Sequence, residues 1–319
     1  MPDMSAPLKL GADCWNSYTD WSSWLAAMLR AERLGYDSLW APDHLYPPQG
    51  DPTGPCLEPY MLIAPVAAMT TRPTIGVMVG ANTYRNPALV AKMVTTLDHI
   101  SGGRAILAIG SAWNEIEHRG FGFEFGSSPG ERLRWLREAL PVLRGMLDGT
   151  RPSAAGDHYH MKDVVNEPAP IQAHLPILVG GSGRRVTLRL VAEYADICNI
   201  GGTPDEVRSK DRVLIEHCDA VGRDEREIER SIDVGVATIR DSRAEAQRVN
   251  VSIFEGHGGA EPWANQPVGT PEDVFERLAA YVALGYRHLV FYYPPPHDEE
   301  TMTRMATEVR PRLQALVAA

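Results

Sequence analysis

Lysine is the scarcest charge in this chain: Lys9, Lys92, Lys162 and Lys210 are the only four among 319 residues. The formal net charge is −10, and neither end nor any internal stretch carries a basic stripe. That excludes a surface built to follow a nucleic-acid backbone. No run of about 18 apolar residues occurs, so no segment reads as a membrane-spanning helix. Cys14, Cys56, Cys198 and Cys218 stand apart without CxxC spacing. They read as reduced thiols, forming neither a disulfide frame nor a metal site. The opening MPDMSAPLKL lacks the charged-then-apolar layout of a secretory signal, so a cytoplasmic protein is expected. Also missing are a GxSxG nucleophile turn, a P-loop, and a GxGxxG after the first apolar run. The last absence argues against a classical nicotinamide-binding domain.

What is present is alternation. Short apolar segments at Leu8–Cys14, Ser38–Ala41, Ile75–Ala81, Ala105–Ile109, Ile177–Gly180, Ile197–Ile200, Ile232–Val236 and His288–Tyr292 are separated by helical patterns. Repeated βα units predict a parallel sheet, and eight strands is the number of a (β/α)8 barrel, which takes about 250 residues. At 44 % hydrophobic, the chain can fill such a core as one domain over residues 1–319. The segment AILAI is apolar throughout, as a strand covered on both faces should be. The following signals mark the helix before it: Asn86 as N-cap, Pro87 at the first helical position, and Gly102-Gly103 as the stop. Leu89, Met93, Leu97 and Ile100 form its apolar stripe. Helices are also expected from Glu131 to Leu147 and from Arg184 to Tyr194. Two stretches, 150–172 and 251–269, interrupt the rhythm and read as insertions, the first with a short hairpin around DHYHM.

In an α/β barrel the chemistry gathers where the strands end at their C-terminal sides. That rule selects Asp13 and Trp15, then Asp43, His44 and Tyr46, then Asn82, Thr83 and Arg85. Further along it selects Ser111, Trp113 and Asn114, the turn Gly180-Gly181-Ser182-Gly183, and finally Asn199 and Gly201. Histidine titrates near neutral pH, so His44 at a strand end can move a proton to or from a substrate oxygen, or simply tie down its loop. GGSG running into RRVTLRL can aim backbone N–H groups at a phosphate, with Arg184 or Arg185 adding charge, or be a tight turn that binds nothing. The histidines do not cluster with carboxylates, so no metal site is expected. Trp15, Tyr46, Trp113, Phe123, Trp263 and Tyr292 could line an apolar, aromatic pocket for a small molecule.

Five segments in this order resemble the luciferase-like monooxygenase superfamily, and within it the branch that uses the deazaflavin coenzyme F420. They are LGYDSLWAPDHL (34–45), GVMVGANTYRNPALVAK (76–92), LDHISGGRAILAIGSAWNEIEHRGFG (97–122), PILVGGSGRRVTLRLVAEYADICNIGG (176–202) and LGYRHLVFYYP (284–294). The resemblance covers nearly the whole chain. It implies a barrel with a non-proline cis peptide at Met78–Val79 against which the cofactor ring lies. It implies cofactor contacts from Met78, Val79, Asn82, Ser111, Ala112, Gly180, Gly181 and Ser182, with the phosphate near the glycine turn; Asp13, Trp113, Gly183, Arg184, Asn199 and Gly201, read from the strand ends and that turn, join them as expected cofactor-binding residues. His44, with Asp43 beside it, is implied as the acid/base residue of a hydride transfer between the deazaflavin and a small organic substrate. A homodimer pairing through Leu57–Met69 and Pro87–Ser101 is implied as well. Two other readings stay open: an FMN-dependent two-component monooxygenase served by a partner reductase, and a binding protein without turnover. The chain departs from sugar-phosphate-oxidising relatives, which carry a glutamate near Trp113 and phosphate-holding lysines. Where other members have GxGxGW, it reads GSAW, with Ala112 in place of a glycine.

Overall fold

The computed structural model describes residues 6–263 and 265–318. Eight staves of parallel strand surround one axis, formed by Lys9–Cys14, Ser38–Ala41, Thr74–Val77 continued by Gly80–Ala81, Leu107–Gly110, Ile177–Gly180, Ile197–Gly201, Glu229–Val236 and His288–Tyr293. The first strand pairs with the second and with the eighth. On the far side the third stave is broken in two. Thr74–Val77 pairs with the second strand, and Gly80–Ala81 pairs with the fourth. A parallel bridge between Ile75 and Ala105 completes the closure. The break is the cis peptide Met78–Val79.

Alternation along each strand sorts the apolar residues into two layers. Leu107 and Ile109 join the large outer core between strands and helices, whereas Ile106 and Ala108 join Trp40, Met78, Leu178, Ile197 and Val290 in an inner cluster. Successive side chains of a strand point to opposite faces, so AILAI must be apolar at every position. Side chains thus fill the barrel's interior, and a ligand must be met at its mouth.

The helices start and stop where their local chemistry dictates. Asn86 accepts a hydrogen bond from the Ala88 N–H at 2.9 Å, Pro87 opens the helix Pro87–Ser101, and Gly102 at φ +69° ends it. The stripe expected on this helix is a different face in the structure. Val90, Ala91, Val94, Leu97 and Asp98 are buried, while Leu89 and Ile100 are largely exposed. Two of the four stripe residues therefore look outward. The buried face carries small and polar residues as well, because Asp98 turns inward to accept from the Ala105 N–H and the Gln172 side chain.

Other helices differ at their ends. Arg184–Val186 is a turn, and the helix runs from Thr187 to Tyr194. The stretch that begins at Val251 is partly helix, since Arg243–Gly256 extends into it. In the other insertion Ala154–Ala155 pairs antiparallel with His160–Met161, forming the short hairpin. His158 lies in its turn, stacked on Trp135 with ring centroids 3.8 Å apart.

Candidate active site

A cavity of about 400 Å³ opens at the C-terminal ends of the strands. From the expected residues, Asp13, Asp43, His44, Met78, Val79, Ser111, Ala112, Trp113, Gly180 and Gly181 line it. Asn82, Ser182, Gly183, Arg184, Asn199 and Gly201 do not. Gly201 borders a neighbouring cavity, and Asn199 stands behind the wall, donating to the Asp233 carboxylate at 3.2 Å. Ser182, Gly183 and Arg184 lie on the open turn beyond the fifth strand, where Arg184 is exposed. The helix that follows has no side-chain hydrogen bond at its N-cap, Val186, although the Leu188 N–H donates to the Gly183 carbonyl at 3.0 Å. Four of the six aromatic candidates, Trp15, Trp113, Trp263 and Tyr292, reach the cavity. Tyr46 and Phe123 instead pack with Phe121.

Asp43 and His44 are neighbours in sequence, yet they face different partners. The Asp43 carboxylate accepts from the Arg85 guanidinium at 2.8 and 3.0 Å and from the Ala81 N–H at 2.7 Å. Arg85 reaches on to Glu58 at 2.7 Å. Asp43 thereby ties the loop after the second strand to the broken third stave. Burial raises its pKa, and Arg85 works against that rise.

The partner of His44 is Glu117, 73 residues away. His44 Nδ1 lies 2.9 Å from Glu117 Oε2. The same oxygen accepts from the Tyr84 hydroxyl at 2.6 Å, and Oε1 accepts from the N–H groups of Leu45 and Tyr46 at 2.5 and 3.0 Å. The Glu117 side chain has no exposure. Burial alone would raise its pKa, but the hydrogen bonds led by that from His44 outweigh it and hold the group below the ordinary range. An ionised carboxylate only accepts, so Nδ1 carries the proton of this hydrogen bond, and in the neutral ring Nε2 is then the acceptor. Trp113, 59 % exposed, stands edge-on to the His44 ring at 5.4 Å.

Sequence reasoning missed Glu117. It sits in the first turn of the helix Glu115–Phe121, where an acidic residue is explained by the helix dipole alone. Nothing local marks its reach across the mouth.

The remaining wall suits a flat ring. Gly180 packs so closely on Val79 that a Cβ there would lie 2.6 Å from Val79 Cγ2. The buried Asn82 amide has no hydrogen-bond partner for either its oxygen or its nitrogen. Such unsatisfied buried groups are uncommon and mark a place for a missing partner. Among the described residues no group of His, Cys, Asp and Glu could hold a metal ion, and no helix is long and apolar enough to cross a membrane.

Comparison with known proteins gives the same direction. The family model described as luciferase-like monooxygenase matches residues 9–266. An F420-dependent glucose-6-phosphate dehydrogenase of Microbacterium testaceum is 28 % identical over 340 aligned positions, covering 98 % of this chain and 99 % of its own. An F420-dependent secondary alcohol dehydrogenase, solved with an F420–acetone adduct, superposes with a TM-score of 0.82 at 20 % identity, covering 97 % of this chain and 99 % of the other. The coenzyme F420-dependent tetrahydromethanopterin reductase of Methanopyrus kandleri gives 0.80 at 19 %, covering 97 % of this chain and all of its own. At these identities the two structures establish the fold.

Proposed function

Since the chain belongs to the luciferase-like monooxygenase family, we propose that it is an oxidoreductase using coenzyme F420 and acting on a small organic substrate. The observation that carries this reading is the His44–Glu117 pair at the mouth, facing the Met78–Val79 wall across one cavity. When bound, the deazaflavin supplies a hydride donor and acceptor. Met78, Val79, Ser111, Ala112, Gly180 and Gly181 would hold its ring, with the Asn82 amide as a further partner. The turn Gly181–Arg184 would meet its phosphate, a task suited to the uncapped helix beyond it.

His44 carries the proton. With Nδ1–H committed to Glu117, neutral Nε2 takes a hydroxyl proton as hydride leaves the substrate carbon. The imidazolium so formed lies against a buried carboxylate, which lowers the cost of the charge. In the reverse direction the same group returns the proton. Asp43 acts through Arg85 and the Ala81 N–H as a positioning residue.

Titrating the cofactor-free protein with F420 and, separately, with FMN tests the reading. F420 is expected to bind at least about ten-fold more tightly, a difference of roughly 1.4 kcal/mol. Tighter FMN binding would favour the oxygen-dependent chemistry with a partner reductase instead.

A homodimer is part of this proposal. Met61, Met69, Leu89 and Ile100 on the helices Pro59–Met69 and Pro87–Ser101 are all exposed, which supports pairing through those helices. A monomeric sedimentation profile at micromolar concentration would refute it.

A further inference from the structure

The cavity has two unlike walls. The third, fourth and fifth strands supply the Met78–Val79 peptide, Ser111, Ala112 and the two glycines, a surface without charge. Across the barrel, the first, seventh and eighth strands supply Asp13, Asp233 and Tyr292. On the seventh strand the register shifts between Asp233 and Gly235, a bulge just beyond the carboxylate. Asp233 already accepts from the Asn199 amide and from the Tyr292 hydroxyl. Asp13 is only 1 % exposed, and its Oδ1 has no hydrogen-bond partner. No lysine or arginine lines the cavity; His44 alone among the lining residues can become cationic. Asp43 is neutralised from behind by Arg85, whereas among the described residues no lysine or arginine forms an ion pair with Asp13 or Asp233, and His288 is the cationic partner that acts on Asp233.

Three aromatic rings stand around this carboxyl pair. Trp15 lies 5.6 Å from Trp263 and 6.2 Å from Tyr292, and Trp263 lies 5.9 Å from Tyr292, between ring centroids. Aromatic rings grouped in this way, with carboxylates among them, attract an organic cation through the negative faces of their π systems. We propose that Asp13, Asp233 and the Trp15–Trp263–Tyr292 rings form the recognition subsite for a protonated amine on the substrate. The assignment rests on the reading of this cavity as the active site and names the substrate class for it. It also moves Asp13 from the expected cofactor contacts to the substrate side.

The chemistry favours a cation over a neutral donor. An ammonium group brings three donors and a full charge, so it satisfies Asp13 Oδ1 and relieves the repulsion between the carboxylates together. A hydroxyl would satisfy one acceptor and leave that repulsion in place. The pKa shifts agree with this picture. Burial, then the neighbouring Asp233, pushes the Asp13 carboxyl well above the usual range, and burial lifts Asp233 to about 6. A phosphorylated substrate would meet carboxylates and no fixed positive charge, which sets this site apart from the substrate named for the Microbacterium relative.

Calorimetric titration of the F420-saturated protein with benzylamine and with benzyl alcohol tests the proposal, with cofactor-free protein titrated in parallel. Benzylamine is expected to bind about ten-fold or more tightly than the alcohol, within the range for a desolvated cation–π contact. In Asp13→Asn and in Asp233→Asn the ratio should fall toward one, with F420 affinity and circular dichroism unchanged. Equal binding of the two probes to the wild type overturns the subsite whatever the variants do. So does a ratio that survives both substitutions, or a loss of F420 affinity in Asp13→Asn, which would assign that carboxyl to the cofactor. Failure of the wild-type protein to bind F420 at all would instead strike the functional reading, while the amine preference of the cofactor-free protein would still be measured.

Discussion

His44 Nδ1 and Glu117 Oε2 lie 2.9 Å apart, joining the loop after the second strand to the helix after the fourth. The carboxylate fixes both the orientation of the ring and the position of its proton, which leaves Nε2 to the cavity. Glu117→Gln keeps the shape and removes the charge. Turnover should fall by roughly 10- to 1,000-fold, as when the orienting carboxylate of a catalytic histidine is neutralised. The fall should appear in kcat with KM and F420 affinity nearly unchanged, and steady-state kinetics beside a cofactor titration would show it. An unchanged kcat would reduce Glu117 to a loop fastener.

Replacing His44 with Ala removes the proposed proton carrier itself. Positioned proton transfer contributes about 100- to 10,000-fold in rate, and a loss in that range is expected. Cofactor affinity should be retained, because no expected ring contact is lost. Wild-type turnover in the variant would take His44 out of the mechanism.

Gly180 tests the ring wall. Its φ is not in the left-handed region, so alanine is acceptable to the backbone, but the new Cβ would lie 2.6 Å from Val79 Cγ2. Val79, which lines the cavity, must then shift. F420 affinity should fall by about ten-fold or more, a loss of roughly 1.4 kcal/mol, while His44 and Glu117 are untouched. Fluorescence titration reads the effect, and an unaltered affinity would move the ring elsewhere.

Ala112 has φ +63°, a conformation in which its Cβ crowds the carbonyl oxygen. Ala112→Gly relieves that crowding and makes the unfolded chain more flexible. The first effect is larger, and a net gain of about 1 kcal/mol is expected. A higher melting temperature would confirm it; a lower one would mean that the methyl group packs usefully at the mouth.

The pH dependence of stability can be read at Asp233. Its folded pKa of about 6 stands above the usual 3.8, chiefly through burial. Between those values the native state holds more protons than the unfolded one, so stability falls as pH rises through the window. The cost is complete above about pH 6 and absent well below 3.8. Asp233→Asn should therefore raise stability near pH 7.5, by at most about 3 kcal/mol, and have little effect near pH 4. Chemical denaturation at the two pH values measures the difference; a penalty at pH 7.5 would contradict it.

The elements that border the cavity were largely legible in the residues. Asn86, Pro87 and Gly102 bound a helix that the structure reproduces, and the apolar run before Ser111 is a strand of the barrel. The cis peptide stands at Met78–Val79, as the family resemblance implied. The carboxylate partner of His44 was not legible. Asp43 stands beside His44 in sequence, but neighbouring residues at a strand end turn to different sides, and Asp43 turns to Arg85. The outward Leu89 and Ile100 were misread for a similar reason: a periodic stripe shows that a helix has a face, not which neighbour covers it.

The sequence by itself determined the barrel, its helix boundaries near Pro87 and Gly102, and the residues delivered to the strand ends, because periodicity, caps and turns act within a few residues. The tertiary structure alone decided that Glu117 meets His44, that Asn199 and Tyr292 bind Asp233, and that Trp15 and Trp263 come together. Those contacts join segments dozens to hundreds of residues apart, and only barrel closure, which sets the eighth strand beside the first, fixes their distances.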